Sequence, residues 1–139
     1  MERVLKTIYT CLPGGKHKVL TMSYDDGRTF DRKLVAIFNK YGIKGTFHLN
    51  SGLIDGEYGE RIQPEEMREL YKGHEISSHT MYHPTIERCP IDQVVQQIIE
   101  DRKILEKAAG YPVRGMSYPN GSYNSDIVKM LPACGIEYC

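Results

Sequence analysis

The stretch Val19-Leu20-Thr21-Met22-Ser23-Tyr24-Asp25-Asp26-Gly27 organises the chain, because a short β-forming run ends there in two adjacent carboxylates. Residues 19–24 are rich in β-formers and short enough for a strand, so Asp25 and Asp26 fall where a parallel strand passes into a loop. Proteins of the α/β class place their chemistry at such strand ends. Two ionised neighbours repel each other, and a metal ion bound by one of them leaves the other free to act as a base. Asp-Asp-Gly is also an ordinary turn sequence, so a metal site requires further ligands.

The following segments repeat one pattern, in which a helix ends at a glycine and a β-rich run comes directly after it. Pro64 and Pro90 mark the starts of two of these helices, and Pro132 should disturb the last one. The pattern predicts helices ending at Gly42, Gly73, Gly110 and Gly135, and strands over residues 43–49, 74–77, 113–117 and 136–139. Such β-loop-α units indicate a parallel sheet, either open or curled into a barrel.

Composition limits the class of protein. The 139 residues suffice for a single domain over 1–139, within which residues 1–16 stand apart as an extension or as a β-hairpin turning at Pro13-Gly14-Gly15. Eighteen basic and eighteen acidic side chains balance, which argues against nucleic acid or an anionic membrane as a partner. The four cysteines show no CxxC spacing, so we interpret them as reduced and structural. The absence of a signal-peptide pattern or a span-length apolar run predicts a cytoplasmic chain as given, with a processed secreted form left open.

A second chemical cluster is His79-Thr80-Met81-Tyr82-His83-Pro84, directly after the predicted third strand. Imidazoles at i and i+4 lie on one face of a helical turn and can chelate one ion, which suits zinc or a similar transition metal. The alternative is a pair of surface histidines near a turn. Both the Asp pair and the His pair follow strands of one predicted sheet, and two histidines with one carboxylate leave a coordination position open for catalysis.

The loop after the predicted strand 113–117 reads Tyr118-Pro119-Asn120-Gly121-Ser122-Tyr123-Asn124. Pro119 and Gly121 favour a tight turn, and a turn at this edge can direct backbone N–H groups at a developing oxyanion. The same loop also fits a helix entry with Asn124 as the N-cap, and the two interpretations are compatible.

With these segments in view, the chain resembles the polysaccharide deacetylase family, also called carbohydrate esterase family 4 or the chitooligosaccharide deacetylase homology domain. Residues 21–27 resemble its first motif, residues 79–84 its second, and Ser117-Tyr118-Pro119-Asn120-Gly121 a variant of its third. Linking segments such as residues 45–50 and 73–80 also look like the family, so the resemblance spans residues 17–138. It implies a distorted (β/α) barrel and hydrolytic removal of acetyl groups from N-acetylglucosamine polymers or acetylated xylan.

The resemblance also implies residue roles and a cofactor. The metal would be one divalent ion, zinc in the first place, with Co²⁺, Ni²⁺ or Mn²⁺ as alternatives. The partner would be an acetylated carbohydrate such as chitooligosaccharide, peptidoglycan or acetylxylan. The implied roles are a catalytic base at Asp25, metal ligands at Asp26, His79 and His83, an oxyanion-binding backbone N–H at Asn120, and substrate contacts at Tyr118 and Pro119.

Two departures from the family pattern change these expectations. Many members carry an arginine that orients the catalytic Asp at the position of Ser117, and Arg114 is the nearby candidate for that task. The later motifs, including a leucine and a histidine that serves as general acid, have no counterpart before Cys139. We therefore expect a partial barrel whose exposed sheet edge associates or is covered, with a second copy of the chain as one candidate partner. The unassigned His17, His48 and His74 are predicted to be packed or surface residues.

Three function hypotheses follow. The first is a metal-dependent carbohydrate deacetylase or the N-terminal part of one. The second is a non-catalytic metal- or glycan-binding remnant, suggested by the missing general acid. The third is a hydrolase of a small cyclic amide or ureide. Acetate release from acetylated carbohydrates separates the first hypothesis from the second.

Overall fold

The computed structural model describes residues 10–54 and 60–139, and its centre is a parallel sheet with strand order β1-β2-β3. Ser23 pairs with Thr46 and Thr46 with Glu75, and isolated parallel bridges at Ser78–Met116 and Gly115–Tyr138 continue the sheet. The strands are β1 (Ser23–Asp25), β2 (Thr46–Leu49) and β3 (Glu75–Ser78), and the helices are α1 (Asp31–Tyr41), α2 (Pro64–Leu70), α3 (Ile91–Ala109) and α4 (Ser125–Met130).

The helical crossovers agree with the predicted pattern. Helix α1 ends as predicted at Gly42, which is its C-cap at φ 67°, a left-handed conformation that suits glycine, and Asp31 lies in its first turn. Helix α2 begins at Pro64 with a capping box between Gln63 and Glu66, which satisfies backbone groups at the helix start. Each helix returns the chain to the same end of the sheet, so the loops after the strands gather at one edge.

The strands are shorter than predicted. Strand β1 begins at Ser23 instead of Val19, and Val19 and Leu20 are exposed, so that part of the apolar run forms no ladder in the described residues. The predicted strands 113–117 and 136–139 are reduced to single bridges at Gly115, Met116 and Tyr138. The last helix changes at Leu131 to a 3-10 turn, Leu131–Cys134, because Pro132 offers no N–H donor.

Two apolar clusters hold the helices on the sheet. The first is built around Phe47 of β2, which is fully buried with its ring centroid 4.7 Å from that of Tyr71. The second gathers Ile98 of α3 and Ile127 of α4 around Met116. Burying an aromatic or branched side chain contributes about 1.5–3 kcal/mol. These clusters fix the strands, and the strand ends in turn position the loops.

The remaining fold expectations concern the N-terminus and three histidines. An antiparallel bridge between Leu12 and Lys16 encloses the Pro13–Gly15 turn, while the first nine residues of the expected hairpin lie outside the described residues. His48 and His74 are buried and His17 is exposed, as predicted. Across the residues that the structure describes, no helix has the length and apolarity needed to cross a bilayer.

Candidate metal centre and catalytic site

Three side chains from two loops converge at the carboxyl edge of the sheet. Asp26 directly follows β1, while His79 and His83 belong to the loop after β3. One potential ligand atom from each side chain lies within 4.8 Å of the other two, and the His79 and His83 ring centroids are 4.7 Å apart. His79 is buried and the other two are partly exposed, so the cluster has a protein side and an open side.

The backbone of these loops is unusual in a consistent way. In the described part of the chain, four residues other than glycine have positive φ, and all of them lie in the three predicted site loops. They are Asp26 (φ 81°), Thr80 (φ 61°), His83 (φ 54°) and Asn120 (φ 58°). Such conformations cost about 1–3 kcal/mol each and persist where the surrounding structure enforces them, often at functional sites.

The hydrogen bonds of His79 define its tautomer. Its Nδ1 lies 3.0 Å from the Ser117 carbonyl oxygen, which can only accept, so Nδ1 carries the hydrogen and Nε2 presents a lone pair. Burial lowers the pKa of His79 despite the opposing effects of the Ser117 carbonyl and Asp25, which favours the neutral imidazole. A neutral ring held through its second nitrogen is the usual form of a metal-binding histidine.

Asp25 lies beside this cluster and not within it. Its side chain is half-exposed, with Oδ2 3.9 Å from His79 Nε2 and Oδ1 accepting a 3.0 Å hydrogen bond from Ser117 Oγ. In the sheet register Asp25 pairs with His48 of β2, and the next residue, Asp26, belongs to the three-residue cluster. Two adjacent carboxylates therefore have different surroundings, which is what separate acid–base and ligand roles require.

Asn50 and Arg61 support the cluster, and sequence reasoning did not assign them. Asn50 Nδ2 donates to the carbonyl oxygens of His79 and Thr80 at 2.6 and 2.8 Å. Arg61, almost fully buried, donates through Nη1 to the Asp26 carbonyl and lies 3.7 Å from Asp26 Oδ1. Asn50 directly follows β2 and offered a positional signal, whereas Arg61 lies 35 residues from Asp26 and carried none.

A buried carboxylate lies behind the same loops. Asp101 of α3 has no exposed surface, and its two oxygens accept hydrogen bonds from Ser51 N at 2.8 Å and Ser78 Oγ at 2.6 Å. Burial raises the pKa of Asp101 to about 6, and these hydrogen bonds oppose the shift. Because Ser78 precedes His79, Asp101 ties α3 to the start of the histidine loop.

The third predicted loop forms a turn whose side chains make contacts with different parts of the structure. Pro119 is buried, Tyr118 stacks on Tyr123 with centroids 5.0 Å apart, and Asn120 Nδ2 donates to Thr85 Oγ1. Asn124 caps α4 as expected, accepting from two backbone N–H groups. The loop reaches the cluster through Ser117.

The structure does not bring Arg114 to Asp25. Its Nη1 donates to the Gly135 carbonyl at 3.4 Å, and its Nε lies 3.7 Å from Glu137 Oε1. Ser117, three residues later, contacts Asp25 instead. The orienting role expected for Arg114 therefore has no geometric basis here, because the bridge between Gly115 and Tyr138 sets Arg114 beside the segment 135–137.

A surface cavity of about 280 Å³ opens next to the cluster. Asp26 and His83 line it together with two arginines, Arg28 and Arg61, and the half-exposed ring of Tyr82. A larger groove of about 720 Å³ lies between α2 and α3, away from these residues. Of these two cavities, the smaller one is lined by two of the candidate metal ligands, so it is the candidate substrate site.

Comparison with known proteins points to one family. The family model for polysaccharide deacetylases matches residues 13–139. A peptidoglycan-N-acetylmuramic acid deacetylase of Bacillus subtilis, PdaC, is 28% identical over 115 residues, which are 79% of this chain and 23% of the relative. A peptidoglycan-N-acetylglucosamine deacetylase of Bacillus cereus is 30% identical over 104 residues, which are 73% of this chain and 36% of the relative.

A solved structure shares the fold. The Streptococcus pyogenes deacetylase PplD in complex with acetate superposes with a TM-score of 0.80 at 24% identity, covering 89% of this chain and 55% of PplD. This likeness confirms the predicted α/β fold, part of a distorted (β/α) barrel with parallel strands. The chain thus spans about a quarter to a third of the two curated relatives and about half of PplD.

Proposed function

Because this chain belongs to the polysaccharide deacetylase family, we propose that it hydrolyses acetyl groups from acetylated carbohydrate with the aid of one divalent metal ion. One observation carries this proposal: Asp26, His79 and His83 converge at the sheet edge, with Asp25 directly beside them and outside the ligand set. This is the arrangement of a hydrolytic site that keeps ligand and base separate.

The donor set fits a zinc-type ion. Two imidazoles and one carboxylate match the N and O ligands that zinc prefers, and the neutral tautomer of His79 presents Nε2 as the ligand atom. Co²⁺, Ni²⁺ and Mn²⁺ accept the same ligands, so the identity of the ion belongs to the test. An ion held there would polarise the acetyl carbonyl and lower the pKa of water.

The protein's own groups would then move the proton and hold the substrate. Asp25 would accept the proton of the attacking water at its carboxylate, whose Oδ1 is already held by Ser117. The backbone N–H of Asn120 would donate to the oxygen that gains negative charge, and Tyr118 and Pro119 would contact the sugar. The two curated relatives named above act on peptidoglycan, so N-acetylated sugars of peptidoglycan are the proposed substrates.

Acetate release tests the proposal. The chain is loaded with Zn²⁺ and assayed on N-acetylglucosamine oligomers, peptidoglycan fragments, acetylxylan and a nitrophenyl acetate. Asp25→Asn removes the base, and Asp92→Asn is the matched control because Asp92 is exposed on α3. We expect metal-dependent release that the control keeps and Asp25→Asn loses. Equal release by both variants, or none from any substrate at saturating metal, would contradict the proposal.

The balance between ester and amide substrates is part of the same proposal. An amine leaves poorly without a proton, and a positioned general acid contributes about 10²–10⁴-fold. Among the described residues, the His48 ring bonds Ser23 Oγ and the His74 ring bonds Asn39, so neither is directed at the cavity. We therefore expect the 139-residue chain to show residual activity on activated acetyl esters and little or no activity on N-acetyl groups. Rapid N-deacetylation would refute this expectation.

A further inference from the structure

Ser117 contacts both the expected base and an expected metal ligand. Its Oγ lies 3.0 Å from Asp25 Oδ1 and 2.6 Å from His79 Nδ1, while its carbonyl oxygen lies 3.0 Å from the same nitrogen. Asp25 and Ser117 are 92 residues apart in the chain, so the sheet brings them together. No other side chain in the described residues touches both Asp25 and His79 through hydrogen bonds.

The direction of each hydrogen follows from the chemistry of the partners. The Ser117 carbonyl can only accept, so His79 Nδ1 is the donor, and the hydroxyl oxygen at 2.6 Å must accept from it as well. The single hydroxyl hydrogen is then left for Asp25 Oδ1. The result is a directed chain from the His79 ring through the Ser117 hydroxyl to the Asp25 carboxylate.

This chain fixes the orientation of Asp25. His79 Nε2, 3.9 Å from Asp25 Oδ2, is too distant to hold that oxygen by a hydrogen bond. The Asp25 side chain is about half-exposed, so without the Ser117 hydroxyl it would lose a restraint on its rotation. Consecutive hydrogen bonds also polarise one another, so a change in the electron density of the His79 ring alters the strength of the hydrogen bond from Ser117 to Asp25.

We propose that Ser117 is a positioning residue that holds Asp25 in its productive orientation and couples it to the metal ligand His79. The catalytic part of this inference rests on the proposed function. Its structural part, the hydrogen bond between His79 and the Ser117 hydroxyl, does not. The neutral Ser117 hydroxyl orients Asp25, which is the role that was expected for Arg114. Arg114 contacts Gly135 instead.

The experiment compares Ser117→Ala, which removes the hydroxyl, with Ser117→Thr, which keeps it. Ser125→Ala is the control, because Ser125 is exposed at the start of α4. Zinc affinity is measured by competition with a chromogenic chelator, and the Nδ1–H proton of His79 is followed by NMR in the metal-free protein. Activity on the nitrophenyl ester is measured at saturating zinc.

We expect Ser117→Ala to weaken zinc binding about tenfold, to move the His79 Nδ1–H resonance upfield, and to lower kcat about 10–100-fold with KM little changed. Ser117→Thr keeps the hydroxyl, so its zinc affinity, His79 resonance and kcat should be close to those of the wild type. A purely structural role of Ser117 would not require this recovery. Unchanged zinc affinity and an unchanged His79 resonance in Ser117→Ala would overturn the inference, whatever the activity. An inactive wild type with both effects present would instead count against the proposed function alone.

Discussion

Replacing Asp101 by asparagine should stabilise the protein at neutral pH, although it removes a buried carboxylate with two hydrogen bonds. The amide has nearly the same shape as the carboxyl group. Its oxygen can accept from Ser51 N and its nitrogen can donate to Ser78 Oγ, so both contacts survive. What the substitution removes is the cost of holding a negative charge at a site with no exposed surface.

The magnitude follows from the pKa of Asp101, raised from the ordinary value of 3.8 to about 6. The folded state then binds more protons than the unfolded state between about pH 4 and 6, so the free energy of unfolding falls as the pH rises through that window. At 1.36 kcal/mol per pKa unit, the cost above this window is about 3 kcal/mol. Below it, the protonated wild type and the Asp101→Asn variant should be about equally stable.

Urea unfolding of metal-free protein from pH 3.5 to 7.5 measures this difference. Between about pH 4 and 6, the free energy of unfolding of the wild type should fall relative to that of Asp101→Asn. The variant should lack this contribution to the pH dependence. Asp92→Asn, on the exposed face of the same helix, should keep the wild-type slope. If Asp101→Asn were the less stable protein at pH 7.5, the two hydrogen bonds to the carboxylate would outweigh its burial, and the reasoning would be refuted.

Other predictions concern the site and the core. Asp25→Asn should abolish acetate release and leave the zinc content nearly intact, whereas Asp26→Asn should lower both. Activity assays and metal analysis measure these effects. If Asp25→Asn lost zinc as readily as Asp26→Asn, the roles of base and metal ligand would be assigned the wrong way round. Tyr71→Phe removes the hydroxyl that donates at 2.7 Å to the buried Asp31 carboxylate and should cost about 1.5–3 kcal/mol in urea unfolding. Tyr41→Phe, at an exposed ring, should cost almost nothing, and equal effects would exclude the Asp31 hydrogen bond as the cause.

The elements were predictable because their signals are local. The end of helix α1 could be predicted from Gly42, since a helix is specified by residues within a few turns of each other. The strands were overestimated for the opposite reason. A β-rich run becomes a strand only where a neighbouring chain pairs with it, and Val19 and Leu20 have no such neighbour in the described residues.

By itself the sequence determined the parallel α/β arrangement and the candidate ligands Asp26, His79 and His83. Asp26 and His79 directly follow strands, His83 lies four residues further along the same loop as His79, and parallel strands bring their ends to one edge. Only the tertiary structure decided that Ser117 contacts Asp25, that Arg61 lies against Asp26 and that Arg114 faces Gly135. These contacts join loops far apart in the chain, and their geometry depends on strand register and on the direction of single side chains. Serine and arginine are mostly exposed residues, so apart from the place of Ser117 in the third motif, no pattern in the sequence reveals these contacts.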